Sequence, residues 1–214
     1  MKHLPVIAAA IFLAAAPAVQ AGERVSQKLD LKDFSAIDVG GAFELDVTVG
    51  KDFSVELSGS PEEMARVEAS VSKGSLVLDS KKRQRNHKGT KNGVHAVISM
   101  PRLDRLDVSG VADADISGVD AGAFRIHLSG VGEVNVAGAC SDLDARVSGV
   151  GELDAQRLEC KNADVRVSGI GEANFFASER ARAEVSGMGE INIYGSPKNV
   201  EKRGGFLAEI RVHN

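Results

Sequence analysis

The stretch SGVGE at residues 148–152 is one of five related segments that recur at a nearly constant interval. The other four are SGV at 109–111, SGVGE at 129–133, SGIGE at 168–172 and SGMGE at 186–190. The serines that open these segments are 20, 19, 20 and 18 residues apart. Five matches at so steady a period predict a repeat architecture in which each repeat forms one coil of a solenoid.

The residues on either side of each Ser-Gly pair alternate between apolar and polar. Residues 143–147 have the sequence LDARV, and residues 152–155 have the sequence ELDA. A period of two is that of a half-buried strand, whereas a helix would need apolar residues three and four positions apart. Each coil is therefore predicted to hold two short strands that meet at a Ser-Gly corner, where glycine widens the choice of backbone conformation.

Stacked coils would bring equivalent residues to within one strand spacing, ~4.8 Å, of each other. The fold class predicted is all-β, a single-stranded right-handed parallel β-helix (solenoid) with coils of about 20 residues. Two inward apolar columns are expected, formed by Leu128, Val147, Val167 and Val185 and by Val134, Leu153, Ala173 and Ile191.

The region before the regular coils, which span residues 102–195, follows the pattern less closely. Residues 37–47 fit the template with Gly40 in place of serine, and Ser58-Gly59 is predicted to form a further corner. The sequence Ser-Pro-Glu-Glu from Ser60 is a helix-start signal, which predicts one short helix within residues 60–69.

The N-terminus has the features of a signal peptide at residues 1–21: a basic start, an apolar stretch and small residues before the cleavage site. The apolar stretch is shorter than the ~20 residues that span a bilayer, although an uncleaved anchor helix is the alternative. We expect an N-terminal linker at 22–33 and a β-helical domain at 34–214 that contains a basic loop at 80–92. The mature chain is expected to have no transmembrane segment and to be exported by a bacterium to the periplasm, to the cell surface or into the medium as a secreted protein.

Composition limits the function classes further. The chain has 26 basic and 30 acidic residues, and removal of the signal peptide takes away only Lys2, which leaves a formal charge of −5. This acidic balance argues against a nucleic-acid partner. The chain contains 23 glycines, one tyrosine and no tryptophan, a composition that favours a core of small aliphatic layers.

The two cysteines fall at equivalent positions, since Cys140 and Cys160 each lie eight residues before a repeat serine. Stacking would place their Cα atoms ~5 Å apart, which is within the range of a disulfide, and an oxidising compartment favours that bond. Two free buried thiols are the alternative.

A column of acidic side chains is predicted on the outer surface. It can be interpreted as a cation-dependent binding face, because hard divalent ions prefer several oxygen ligands, or as a solvated face that keeps the solenoid soluble. Its members are Asp113, Glu133, Glu152, Glu172 and Glu190.

A second candidate contact is the basic loop. It would touch anionic lipid headgroups or acidic glycans, or else form a loop without a partner. The residues that would make this contact are Lys81, Lys82, Arg83 and Arg85.

No catalytic residue, metal site or cofactor is predicted. The five histidines are scattered, and the Ser-Gly pairs recur too often to be nucleophiles. Some β-helical enzymes cleave sugars with paired carboxylates, but the regular coils leave little room for loops that would build a cleft.

Residues 186–197, SGMGEINIYGSP, together with the preceding Ser-Gly-x-Gly-Glu copies, resemble the bacterial head GIN domain family, which is described as the head of autotransporter adhesins. The resemblance covers roughly residues 34–214. It implies a β-helical fold and a role in adhesion or in the cell envelope, and it transfers no catalytic residue, since none is established for the family.

The function expected is that of an exported, non-catalytic adhesin-like or cell-envelope interaction protein that acts through repeated surface ladders. Its partner would be a cell-surface glycan, a matrix component or an envelope protein. A homo-oligomer of the chain is a further expectation. A periplasmic structural or scaffolding protein is the leading alternative, and a β-helical carbohydrate-active enzyme is a weaker one.

Overall fold

The computed structural model describes residues 24–81 and 93–213. It is a β-solenoid of about five turns with coils about 20 residues apart, and it confirms the predicted β-helical class. The expected signal peptide lies outside the described residues. Within the described ranges, no helix has the length and apolar character needed to cross a membrane.

The first half of the chain contains shorter strands and one helical turn. Its elements are β1 (Val25–Leu29), β2 (Ala36–Val39), β3 (Ala42–Val49), β4 (Ser54–Gly59), α1 (Pro61–Met64), β5 (Val67–Ser72), β6 (Ser75–Ser80), β7 (Val94–Met100) and β8 (Arg105–Val108).

The second half contains the regular coils and the last two strands. Its elements are β9 (Val111–Leu128), β10 (Val131–Val147), β11 (Val150–Val167), β12 (Ile170–Val185), β13 (Met188–Tyr194), β14 (Asn199–Gly204) and β15 (Ala208–Val212).

Each regular coil is one long strand of 16 to 18 residues, not the two short strands that were predicted. The chain remains paired with its neighbours around most of the coil, and the pairing is interrupted at the Ser-Gly corner and at a few register shifts. Small register shifts, such as the one between Asn135 and Ala137, mark where the strand bends.

The coils stack in parallel and in register, and the two predicted inward columns are confirmed. Val147 pairs with Leu128 in one neighbouring coil and with Val167 in the other. Leu153 likewise pairs with Val134 and with Ala173. All eight members of the two columns are buried. Because a single coil could not bury these side chains by itself, the apolar columns hold the coils together.

The corner glycines are required by close backbone stacking. A Cβ atom added at Gly149 would lie 1.8 Å from the carbonyl oxygen of Gly130 in the preceding coil. No real Cβ contact is so short, so any side chain there would push the coils apart. The need for glycine therefore comes from the neighbouring coil and not from a turn conformation.

The first half departs from the repeat because part of it is antiparallel. Strand β4 pairs antiparallel with both β1 and β7, and β5 pairs antiparallel with β6. The prediction of a corner at Ser58-Gly59 is wrong, since these residues end β4 and lead into α1. The predicted helix is confined to α1, where Ser60 and Glu63 form a capping box.

Candidate binding groove

The outward acidic column predicted from the sequence is a continuous ladder. Asp113, Glu133, Glu152, Glu172 and Glu190 are register partners from coil to coil. The ladder is also longer than predicted, because Glu44 pairs with Asp113 at one end and Glu209 pairs with Glu190 at the other. We call these seven residues the acidic ladder. The sequence pattern missed the two ends because neither lies in a Ser-Gly-x-Gly-Glu copy.

Few cations offset this ladder. Arg211 forms salt bridges with Glu190 and Glu209 at the C-terminal end. Among the described residues, no cationic side chain forms a salt bridge with Glu133, Glu152 or Glu172. The middle of the ladder therefore carries uncompensated negative charge in this part of the chain.

Asparagine side chains donate hydrogen bonds to three carboxylates of the ladder. Asn135 Nδ2 donates to Glu133 Oε1 at 2.9 Å, and Asn192 Nδ2 donates to Glu190 at 2.9 Å and to Glu172 at 3.3 Å. An amide donor orients a carboxylate without neutralising it. These contacts hold the side chains in place while leaving their charge available to a ligand.

The electrostatic cost is visible at Glu152. Burial raises the pKa of its carboxyl above the ordinary glutamate value, and repulsion from the carboxylates of Glu172, Glu133 and Asp154 raises it further. The surroundings of this carboxyl therefore disfavour its charged form.

An aliphatic ladder, which sequence reasoning did not identify, runs beside the acidic one. Each member follows a Ser-Gly corner directly, and each is 50% to 54% exposed. The register joins them from coil to coil, and they are Val111, Val131, Val150, Ile170 and Met188. The residue type that follows Ser-Gly was the available signal, because an outward apolar residue in every coil departs from strict alternation.

The acidic ladder from Asp113 to Glu209 forms one side of a shallow groove, and Val131, Val150 and Ile170 of the aliphatic ladder form the other. Gly132, Gly151, Gly171 and Gly189 lie between them and line its floor. Leu207 lines its C-terminal end together with Glu209, so both ladders reach the last coil. Two residues along a strand span ~6.7 Å, and that is the distance from one ladder to the other along the coil.

One other face of the coils pairs its acidic residues with arginine. Arg166 lies 2.7 Å from Asp164 and 3.9 Å from Glu184, and Arg182 lies 3.9 Å from Asp164. This arginine-paired face, formed by residues of β10 to β12, contrasts with the groove. Carboxylates on that face have arginine partners, whereas the central acids of the groove have none among the described residues.

The cysteines form the predicted disulfide. Cys140 and Cys160 are register partners, and their Cα atoms are 4.5 Å apart. The bond ties β10 to β11, the two coils at the centre of the groove.

The basic loop is only partly described. Lys81 lies 3.6 Å from Glu68, and its carbonyl oxygen accepts a hydrogen bond from Arg66. The other predicted contact residues, Lys82, Arg83 and Arg85, lie outside the described residues.

Within residues 24–81 and 93–213, no group of three or more His, Cys, Asp or Glu side chains is arranged to hold a metal ion. The acidic ladder spreads its carboxylates along a line, one to each coil, and does not gather them around a point. This arrangement suits an elongated ligand.

Comparison with known protein families matches residues 33–197 to the family described as "Putative auto-transporter adhesin, head GIN domain". The chain belongs to this family. The match spans the helical turn, the antiparallel strands other than β1 and every Ser-Gly corner, so it includes the whole groove except Leu207 and Glu209. No curated protein matches the sequence.

Solved structures of similar fold come from bacteria. A protein named a "putative adhesin" from Bacteroides fragilis NCTC 9343 has 22% sequence identity and a TM-score of 0.69, with 89% of this chain and 97% of that chain covered. "Putative adhesins" from Parabacteroides merdae ATCC 43184 and Parabacteroides distasonis ATCC 8503 have 15% and 17% identity and TM-scores of 0.49 and 0.48. Both alignments cover 89% of this chain, and they cover 97% of the first of those chains and 98% of the second. At these identities the likeness shows the fold alone.

Proposed function

We propose that this head GIN domain is an exported, adhesin-like protein that acts by surface contact and without catalytic turnover. The observation that carries the proposal is the groove, in which an exposed aliphatic ladder runs beside an acidic ladder from coil to coil. Membership of an adhesin-head family supports the same role.

The physical argument rests on exposure. Monomeric soluble proteins rarely leave a continuous line of half-exposed aliphatic side chains, and such patches commonly mark contact sites. Repeated rungs also allow many weak contacts to add along one ligand. A partner on a cell surface, in a matrix or in the envelope would supply an extended object of this kind.

The experiment measures binding of the labelled, purified protein to intact cells and to envelope and matrix fractions. The double variant Glu152→Gln/Glu172→Gln should lose most of this binding. The control Glu159→Gln/Glu179→Gln removes the same charge from exposed positions outside the groove and should bind like the parent. Equal binding by all three proteins would contradict the proposal.

Export is tested separately on the producing cell. We propose cleavage after Ala21, so the processed protein should begin at Gly22 on N-terminal sequencing. Digestion of intact cells by protease would then separate a surface location from a periplasmic one. A processed form that retained Met1 would overturn the proposed export route.

A further inference from the structure

We infer that the groove binds a basic amphipathic helix, with the apolar stripe of the helix on the aliphatic ladder and its Lys/Arg flank on the acidic ladder. The inference rests on the proposed function and names the class of ligand. It starts from the aliphatic ladder, because its half-exposed side chains, three of which line the groove, need an apolar partner of matching length.

The charge of the groove selects the sign of that partner. The central carboxylates have no cationic partner among the described residues, whereas acids on the arginine-paired face do. A cationic ligand would relieve the repulsion felt at Glu152. A second copy of this chain packed groove to groove is excluded as the occupant, since its own acidic ladder would face this one.

Backbone hydrogen bonding then selects a helix over an extended peptide. The strands under the groove, β10 to β12, are each paired on both sides, so they present no free edge for strand addition. An extended peptide lying across them would leave its own backbone groups unpaired. A helix satisfies those groups internally and uses only its side chains for binding.

The dimensions agree with this choice. Neighbouring rungs are ~4.8 Å apart and one helical turn rises ~5.4 Å, a mismatch of ~0.6 Å for each turn. Side chains on one side of an extended peptide repeat every ~6.7 Å, which misses the rungs by ~1.9 Å. The five steps from Asp113 to Glu209 span ~24 Å, the length of a helix of ~16 residues.

A polysaccharide fits the groove less well. Sugar-binding sites commonly stack the rings of the ligand on aromatic side chains, and no aromatic residue is among the described residues that line this groove. The lining is aliphatic and acidic, which matches the apolar anchors and basic flank of an amphipathic helix.

The test uses a synthetic 18-residue peptide with leucine at i, i+3, i+4 and i+7 spacing and lysine along one flank. A permuted peptide of the same composition is the ligand control. Binding is followed by fluorescence anisotropy, and circular dichroism reports helix formation in the complex. We expect the patterned peptide to bind, to become helical on binding, and to bind more weakly as salt rises.

Two groove variants and two matched controls test the contacts. Glu152→Gln/Glu172→Gln and Val150→Thr/Ile170→Thr should each weaken binding roughly tenfold. Glu159→Gln/Glu179→Gln is the charge control. Val97→Thr is the aliphatic control, since Val97 is 45% exposed and does not line the groove. Both controls should bind like the parent.

Several results would overturn the inference: equal binding of the permuted peptide, a bound peptide that stays non-helical, or equal losses in groove and control variants. Binding of glycans in place of the peptide would also overturn it. If the peptide does not bind while the groove variants still lose cell binding, only the proposed class of ligand is wrong. If groove variants keep full cell binding, the proposed function is wrong as well.

Discussion

Cys140 and Cys160 are register partners in adjacent coils, and a disulfide joins them across a Cα distance of 4.5 Å. The bond fixes β10 against β11. It closes a loop of about 20 residues, so the chain-entropy model gives it a contribution on the order of 3 kcal/mol to the free energy of unfolding.

The first prediction concerns this bond. Cys140→Ala/Cys160→Ala should lower the free energy of unfolding by about 3 kcal/mol in urea titration. Alanine is the matched replacement, because Ala121 and Ala177 pair with these positions in the neighbouring coils. Reducing agent should destabilise the parent protein and leave the variant unchanged. Equal stability of parent and variant without reductant would contradict the role given to the bond.

The second prediction separates inward from outward positions. Val147→Asp or Val167→Asp would place an unpaired carboxylate in a buried apolar column and should cost more than about 4 kcal/mol. Glu152→Gln, which removes one charge from the acidic ladder, should be neutral or slightly stabilising. Thermal melts compare the three variants. A greater loss from the glutamate change would reverse the assignment of the two sides.

The third prediction follows from the raised pKa of the Glu152 carboxyl. The folded state holds this proton more tightly than the unfolded chain, so its contribution to stability falls as pH rises from about 4.3, the ordinary glutamate pKa, through the raised value. Glu152→Gln lacks this loss. In urea unfolding between pH 4 and 8, the free energy of unfolding of the variant should therefore increase relative to that of the parent as the pH rises. If the free energy of unfolding of the parent increased relative to that of the variant as the pH rises, the predicted sign of this pH dependence would be wrong.

The fourth prediction tests the stacked corners. Gly149→Ala would place a methyl group 1.8 Å from the Gly130 carbonyl oxygen and should destabilise the protein severely. Gly122→Ala is the control, because a Cβ there meets nothing within 4 Å. The control should lie within about 0.5 kcal/mol of the parent in chemical unfolding. Similar losses for both glycines would show that close stacking is not the reason for glycine.

Much of the fold was predictable because the residues that pair in neighbouring coils are only about 20 positions apart in the sequence. The 20-residue period aligned Cys140 with Cys160 and placed Val147 and Val167 inside. The antiparallel pairing of β4 was not predictable, since its alternation is the same in either strand direction. A period of two tells which side chains face inward but not which strand lies alongside.

The candidate site was predicted only in part, for a related reason. The acidic ladder followed from the repeated glutamate, but Glu44 and Glu209 join it through coil pairing that the sequence alone does not reveal. The aliphatic ladder lies at a corner, where the alternation pattern gives no rule for the direction of a side chain. Its exposure became clear only once Val150 and Ile170 were placed in register.

The most direct measurement of the central claim is site-specific photo-crosslinking in the producing organism or on its target surface. A photoreactive residue replaces Ile170, which is half exposed in the groove, or Glu179, which is exposed outside it. The account predicts a crosslinked partner from position 170 and none from position 179. Crosslinks from position 179 alone, or from both positions equally, would contradict the claim that the groove is the contact site.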